Sequence, residues 1–163
     1  MKSKIKVSQF ATKRAFLLFF LAYVVVNILA TGISVVYSVV NHSPQPQDLG
    51  VGLLQAPAFV ATVPYQVLIM YIVWPLFVWL YFRNRTINTS EIKRLAWFWL
   101  VSAILADFVF FVLPKAIISA DAYSFTPYEF YVEYQPWITL IYLAIFLSPW
   151  IYKGVAGLIK KDI

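Results

Sequence analysis

A chain of 163 residues that is 62% apolar, 19% aromatic and only 12% charged lies far from a water-soluble domain, which is about half apolar and about a quarter charged. Its net charge of +6 could point to nucleic acid. The basic groups sit at the ends of apolar stretches, however, and form no basic face, so no nucleic-acid partner is expected. The absence of cysteine and the single histidine, His42, leave no thiolate metal site, disulfide or bis-histidine haem for this polypeptide to build, and no metal or cofactor is expected.

Twelve of the thirteen Lys and Arg residues fall in three clusters. They are Lys2, Lys4, Lys6, Lys13 and Arg14, then Arg83, Arg85, Lys93 and Arg94, then Lys153, Lys160 and Lys161. Only Lys115 stands apart, and the remaining connections carry Asp48, Asp121, Glu129 and Glu133. Basic residues beside membrane spans stay in the cytoplasm. The alternation therefore predicts an all-α integral membrane protein, a four-transmembrane-helix bundle with both termini cytoplasmic, in the plasma (bacterial inner) membrane. The spans are expected at about 15–40, 58–82, 92–113 and 137–158, each long enough for about 30 Å of hydrocarbon. With outer loops at 41–57 and 115–136, residues 1–163 make one membrane domain. The apolar run from Phe16 to Val40 exceeds the roughly 7–15 residues of a signal-peptide core, so it reads as an uncleaved signal anchor.

In span 1, Asn27, Ala30, Thr31, Ser34 and Ser38 recur at helical spacing. Small and hydroxyl-bearing faces let helices approach closely in lipid, so this stripe is expected to pack, with Val25, Val26, Leu29 and Val36 turned to lipid. The following loop holds Pro44 and Pro46, then an apolar run to Ala56 that hugs the surface or dips into it. Pro64 and Pro75 interrupt span 2 and predict kinks. Thr62 and Gln66 share one of its faces. Trp74, Trp79, Tyr81 and Phe82 read as an aromatic belt at the inner interface. Thr89 or Ser90 is placed to cap the next helix.

Span 3 starts near Ile92 with Trp97 and Trp99 at the inner interface, and ends before Pro114. Ser102, Ala103, Ala106 and Asp107 make a second small, polar stripe, expected to meet that of span 1. Beyond it, Thr126-Pro127-Tyr128-Glu129 has the N-cap, proline-first and Glu-at-N3 arrangement of a capping box. It predicts a short interfacial outer helix over 127–134 whose Tyr128, Glu129, Phe130, Tyr131, Glu133 and Tyr134 offer a docking surface. Span 4 contains Pro149 and ends at Trp150, Tyr152 and Lys153.

Asp107 is the chemical anomaly. A carboxylate in hydrocarbon costs about 2.5–3.5 kcal/mol on insertion scales and needs a partner, a wet cavity or a proton. Gln66 at similar depth, or Lys115 from the outer edge, is the expected partner, with Asn27 also lining the site. The functional reading is a proton or cation site, or a contact to a cationic group on another protein; the structural one is a hydrogen-bonded acid inside the bundle. Glu129 and Glu133 are spaced to ligate a hard cation or act as an acid–base pair, or simply to cap and to be solvated. No HExxH, GxSxG, Walker loop or dinucleotide fingerprint is present, and no internal repeat suggests an inverted-repeat transporter.

In length and topology, across the whole chain, the layout is similar to the four-span immunity proteins that guard bacterial inner membranes against pore-forming colicins. No motif accompanies that likeness. The leading expectation is a non-catalytic protein that binds a partner in the bilayer, as an accessory subunit or an inhibitor or immunity-type factor. The expected partners are membrane lipid and another membrane protein or a second copy of the chain. Two alternatives stand beside it: a small proton-, cation- or lipid-coupled carrier or channel using Asp107, Gln66 and Asn27, and an enzyme using Glu129, Glu133 or Asp121 at the outer face.

Overall fold

The computed structural model describes residues 10–49, 53–118 and 125–159; Asp121 lies outside them. Four helices are long and apolar enough to cross a membrane. Helix α1 spans Thr12–Val40 and α2 spans Pro57–Phe82. Helix α3 is α-helical over Thr89–Asp107, takes a π-helical turn over Phe108–Val112 and resumes over Leu113–Ile118. Helix α4 spans Trp137–Ile159.

Successive helices alternate in direction, which gathers Arg14, Arg83, Arg85 and Lys153 at one end of the bundle. There the Arg14 guanidinium donates to the Leu80 and Arg83 carbonyls, and Lys153 donates to Thr89. This is the basic end; the opposite one is the far end. Helix α2 packs between α1 and α4, and α4 between α2 and α3. The seam between α3 and α1 is the shortest of the four.

That seam exists because its residues are small. Ala15, Ala22 and Ala103 are fully buried, which lets two backbones approach, and the Trp99 indole N–H donates to the Ala15 carbonyl at 3.0 Å. Eight residues further along both helices, the Tyr23 hydroxyl donates to Asp107 at 2.6 Å. Both bonds join residues 84 apart, so α1 and α3 run parallel in one register. By that offset Ala30 and Ser34 stand level with Pro114 and Ile118, while Ser102, Ala103 and Ala106 stand level with the 18–22 turn of α1. The two small-residue stripes therefore sit at different depths and pack on different neighbours.

Helical spacing overrides residue type in several places. Ala15, Phe19, Ala22 and Val26 form the buried face of α1, so Val26 is core rather than lipid-facing. In the half of α2 nearer the basic end the buried set is Trp74, Val78, Tyr81 and Phe82, at i, i+4, i+7 and i+8. Of the expected aromatic belt only Trp79 is exposed. Trp99 is likewise buried, whereas Trp97 is exposed. Asn88, rather than Thr89 or Ser90, caps α3, its side-chain oxygen accepting from the Ser90 N–H. Helix α3 also continues past Pro114, which enters on the first turn after the π-helical segment, where a missing donor is tolerated.

Helix α4 begins low. Tyr142 meets Asp107 from only five residues inside it, about 8 Å, while α3 continues eleven residues beyond Asp107, about 16 Å. The space above α4 is filled by the segment from Phe125. Its backbone N–H donates to the Phe111 carbonyl in the π-helical turn at 2.8 Å, and Phe125 and Phe130 bury themselves against Val112 and Ile138. The capping box is formed: the Thr126 N–H donates to the Glu129 carboxylate at 2.6 Å and the Glu129 N–H to the Thr126 hydroxyl at 3.2 Å. The turn it starts is π-helical over Glu129–Glu133.

Candidate functional site

Asp107 is the last residue of the first α-helical part of α3, immediately before the π-helical turn. Such turns recur at functional positions because they re-aim side chains. Its carboxylate is buried and accepts two hydrogen bonds, from Tyr23 of α1 at 2.6 Å and from Tyr142 of α4 at 2.9 Å. One acidic group thus joins three helices. The Tyr23 ring stacks on Phe19 and lies beside Phe110, while Phe19 continues through Trp74 to Trp99. Aromatic packing at this depth holds the phenols in place.

The expected partners of Asp107 bond elsewhere. The Gln66 amide donates to Ser34 and to Thr62, each at 3.0 Å, and the Ser34 and Thr62 hydroxyls share a bond of 2.9 Å. Lys115 lies 3.7 Å from Glu129. Asn27 donates to the Tyr23 carbonyl of its own helix. Even so, Asn27, Gln66 and Asp107 share one feature: all three line a cavity of about 300 Å³ among the four helices, the connection after α1 and the 125–134 segment. Ala30, Ser34 and Ser38 line it too.

The stripe of α1 is therefore only half used. Ser34 bonds to α2, and Ser38 takes a bond from Gln45. From Asn27 to Val40 not one residue of α1 is buried, although the preceding half supplies four to the core. Thr31, Val35 and Val39 are exposed and line the cavity, so its mouth opens along this bare half of α1. At its deep end Trp74 is wholly buried, yet its indole N–H finds no acceptor among the described residues.

Of the second stripe, Ala103 is buried in the core with Ala106 packed against it, and Ser102 is partly covered. On the 125–134 segment, Tyr131 and Tyr134 turn inward and are partly buried, with Tyr134 against Phe59. Tyr128, Val132 and Glu133 face outward. Hydrogen bonding from the Thr126 backbone, then from its hydroxyl, and the nearby Lys115 ammonium hold the Glu129 carboxyl below its ordinary value. Glu129 is occupied with capping, and among the described residues no three acidic, His or Cys side chains come together to hold a metal.

A second buried acid escaped the sequence reading. Glu91, in the first turn of α3, accepts from Tyr81 at 2.8 Å and pairs with Arg85 at 2.6 Å, with the guanidinium 5.2 Å over the Tyr81 ring. The available signal was its place in the first turn of a helix, where acids are favoured, six residues after an arginine. For Asp107 the missed residues are Tyr23 and Tyr142. A tyrosine in mid-span carries a hydroxyl that needs a partner, and these are the partners for the one mid-span acid.

No protein-family model matches the chain, and neither does any curated protein or solved structure.

Proposed function

We propose that the chain is a non-catalytic multi-pass membrane protein, seated in the plasma (bacterial inner) membrane with both termini in the cytoplasm. It works by binding another membrane protein within the bilayer, as an accessory subunit or an inhibitor or immunity-type factor. The observation that carries this reading is the bare half of α1. Its small and hydroxyl-bearing residues, Ala30, Thr31, Ser34 and Ser38, are those that pack helix on helix in lipid. None of them is buried, and among the described residues their bonds outside α1 run only from Ser34 to α2 and from Ser38 to the connection at Ser43 and Gln45. The gathering of Arg14, Arg83, Arg85 and Lys153 at one end supports a cytoplasmic placement of that end. The outward Tyr128, Val132 and Glu133 then provide an additional contact on the outer side.

The test is site-directed photo-crosslinking in intact membranes. A crosslinker at Thr31 or Val35 is expected to give one discrete protein adduct, and one at the exposed Leu68 of α2 none. Adducts of equal yield from Leu68, or none from Thr31 and Val35, reject the reading. The cavity that reaches Asp107 favours a second reading, a small proton or cation carrier. In reconstituted vesicles that reading requires Asp107→Asn to abolish a flux that the native chain supports.

A further inference from the structure

The cavity is long and narrow. Along α1 it extends from Tyr23 to Val39, about 24 Å at 1.5 Å per residue, yet it encloses only about 300 Å³. One extended alkyl chain fits a space of that length and volume, and a helix, about 10–12 Å across with its side chains, can lie across its mouth at Thr31 and Val35 without filling it. Its mouth runs past exposed Val35 and Val39, so a chain dissolved in the bilayer can slide in from the side.

The deep end is built for something other than hydrocarbon. Asp107 is there, with two phenol donors and, by the coordination capacity of a carboxylate, room for further donors. Trp74 offers an unpaired indole N–H, and the Gln66 amide oxygen takes no hydrogen bond from the described residues. A hydrocarbon tail would add no partner to any of the three and would leave the buried Trp74 N–H unpaired, at a desolvation cost. No Lys or Arg of the described chain reaches this depth, because Lys115 is engaged with Glu129 toward the far end. The cavity walls include the rings of Tyr23, Trp74 and Phe111, and aromatic faces attract cations. An apolar slot one chain wide, closed by an acid among aromatic rings, has the chemistry of a receptor for an alkylammonium ion.

We infer that this cavity binds a single-chain amphiphilic amine. Its ammonium group sits on Asp107 at mid-bundle and its chain extends along α1 toward Pro44–Pro46. A hydroxyl or carbonyl oxygen next to the nitrogen supplies the acceptor that Trp74 lacks. This site goes beyond partner binding, and the two are tested apart: the crosslink is read in intact membranes with the partner present, the amine on the purified chain without it.

The experiment uses the full chain in phosphatidylcholine nanodiscs, with radiolabelled dodecylamine as the probe and empty discs subtracted. Saturable binding at one amine per chain is expected, with dodecanol competing more weakly by on the order of tenfold or more, the scale of one charge-assisted hydrogen bond. Asp107→Asn, which preserves size, is expected to weaken dodecylamine binding by a similar factor while leaving dodecanol unaffected. Val35→Trp fills the slot from an exposed position away from Asp107, and should block both ligands even where the Asn variant fails to fold. Trp74→Phe is expected to weaken 2-aminododecan-1-ol but not dodecylamine. Equal affinities for amine and alcohol, full amine binding by Asp107→Asn or Val35→Trp, or no saturable binding at all would each overturn the inference.

Discussion

Asp107 takes its two bonds from Tyr23 and Tyr142, so single-atom changes can be used to weigh a joint between three helices. Tyr23→Phe and Tyr142→Phe each remove one donor and are expected to destabilise the bundle by about 1–2 kcal/mol, between the usual value for a hydrogen bond to a charged group and the smaller values found in membranes. Unfolding in mixed micelles with increasing dodecyl sulfate checks this. Because the bonds share one acceptor, each tyrosine change should cost less in an Asp107→Leu background than alone. Arg85→Ala leaves Glu91 buried beside Tyr81 without its cation. The expected loss is about 3–5 kcal/mol, toward the lower end because Arg85 is partly exposed, and Glu91→Gln in the same chain should recover much of it. Asp107 was legible in the sequence because a charge in an apolar run needs a partner, a wet cavity or a proton whichever role it has. Its tyrosine partners were not, since a mid-span tyrosine reads equally well as an apolar ring. Glu91 was hidden for a different reason: it stands among the charges of a helix end, where acids are ordinary.

At the level of elements, the sequence announced most where local chemistry decides. Thr126 and Glu129 bond reciprocally, as their spacing requires. The carboxyl of Glu129 is held below its ordinary value, so its contribution is fully present above about pH 4.5 and disappears as pH falls through the lowered folded value. The amide resonance of Thr126 should therefore shift in acid with a midpoint below 4.5, and Glu129→Gln should remove that transition while keeping the cap. Depth was harder to read than face. The stripes of α1 and α3 are small and polar in sequence, but whether they meet depends on register. Register is set by the Trp99–Ala15 and Tyr23–Asp107 bonds, which no local pattern reveals. The π-helical turn after Asp107 was equally silent: its Phe111 carbonyl takes the Phe125 N–H, a bond from a distant segment that no local preference of Phe108–Val112 announces.

For the molecule as a whole, four apolar segments and short connections were enough to give the helices and their alternation. Helix α3 was underestimated at its far end because Pro114 reads as a stop in sequence and enters a first turn in the fold. The proposed orientation makes a plain prediction. A periplasm-dependent reporter fused after Ile163 should be inactive, and the same reporter inserted between Pro44 and Pro46 should be active. The reverse pattern would turn the bundle over and with it the side from which the cavity is approached.

The common 84-residue offset between α1 and α3 constrains how this protein can change shape. A piston stroke of one helix along the other would sever the indole and phenol links together, so axial sliding is the costly coordinate. Swinging the uncovered end of α1 about a pivot near Ser34, where Thr62 and Gln66 hold it to α2, breaks neither. Spin labels at Ser38 and Ile117 should accordingly report a broad or shifting separation, while a pair at Lys13 and Trp97 holds a single narrow one.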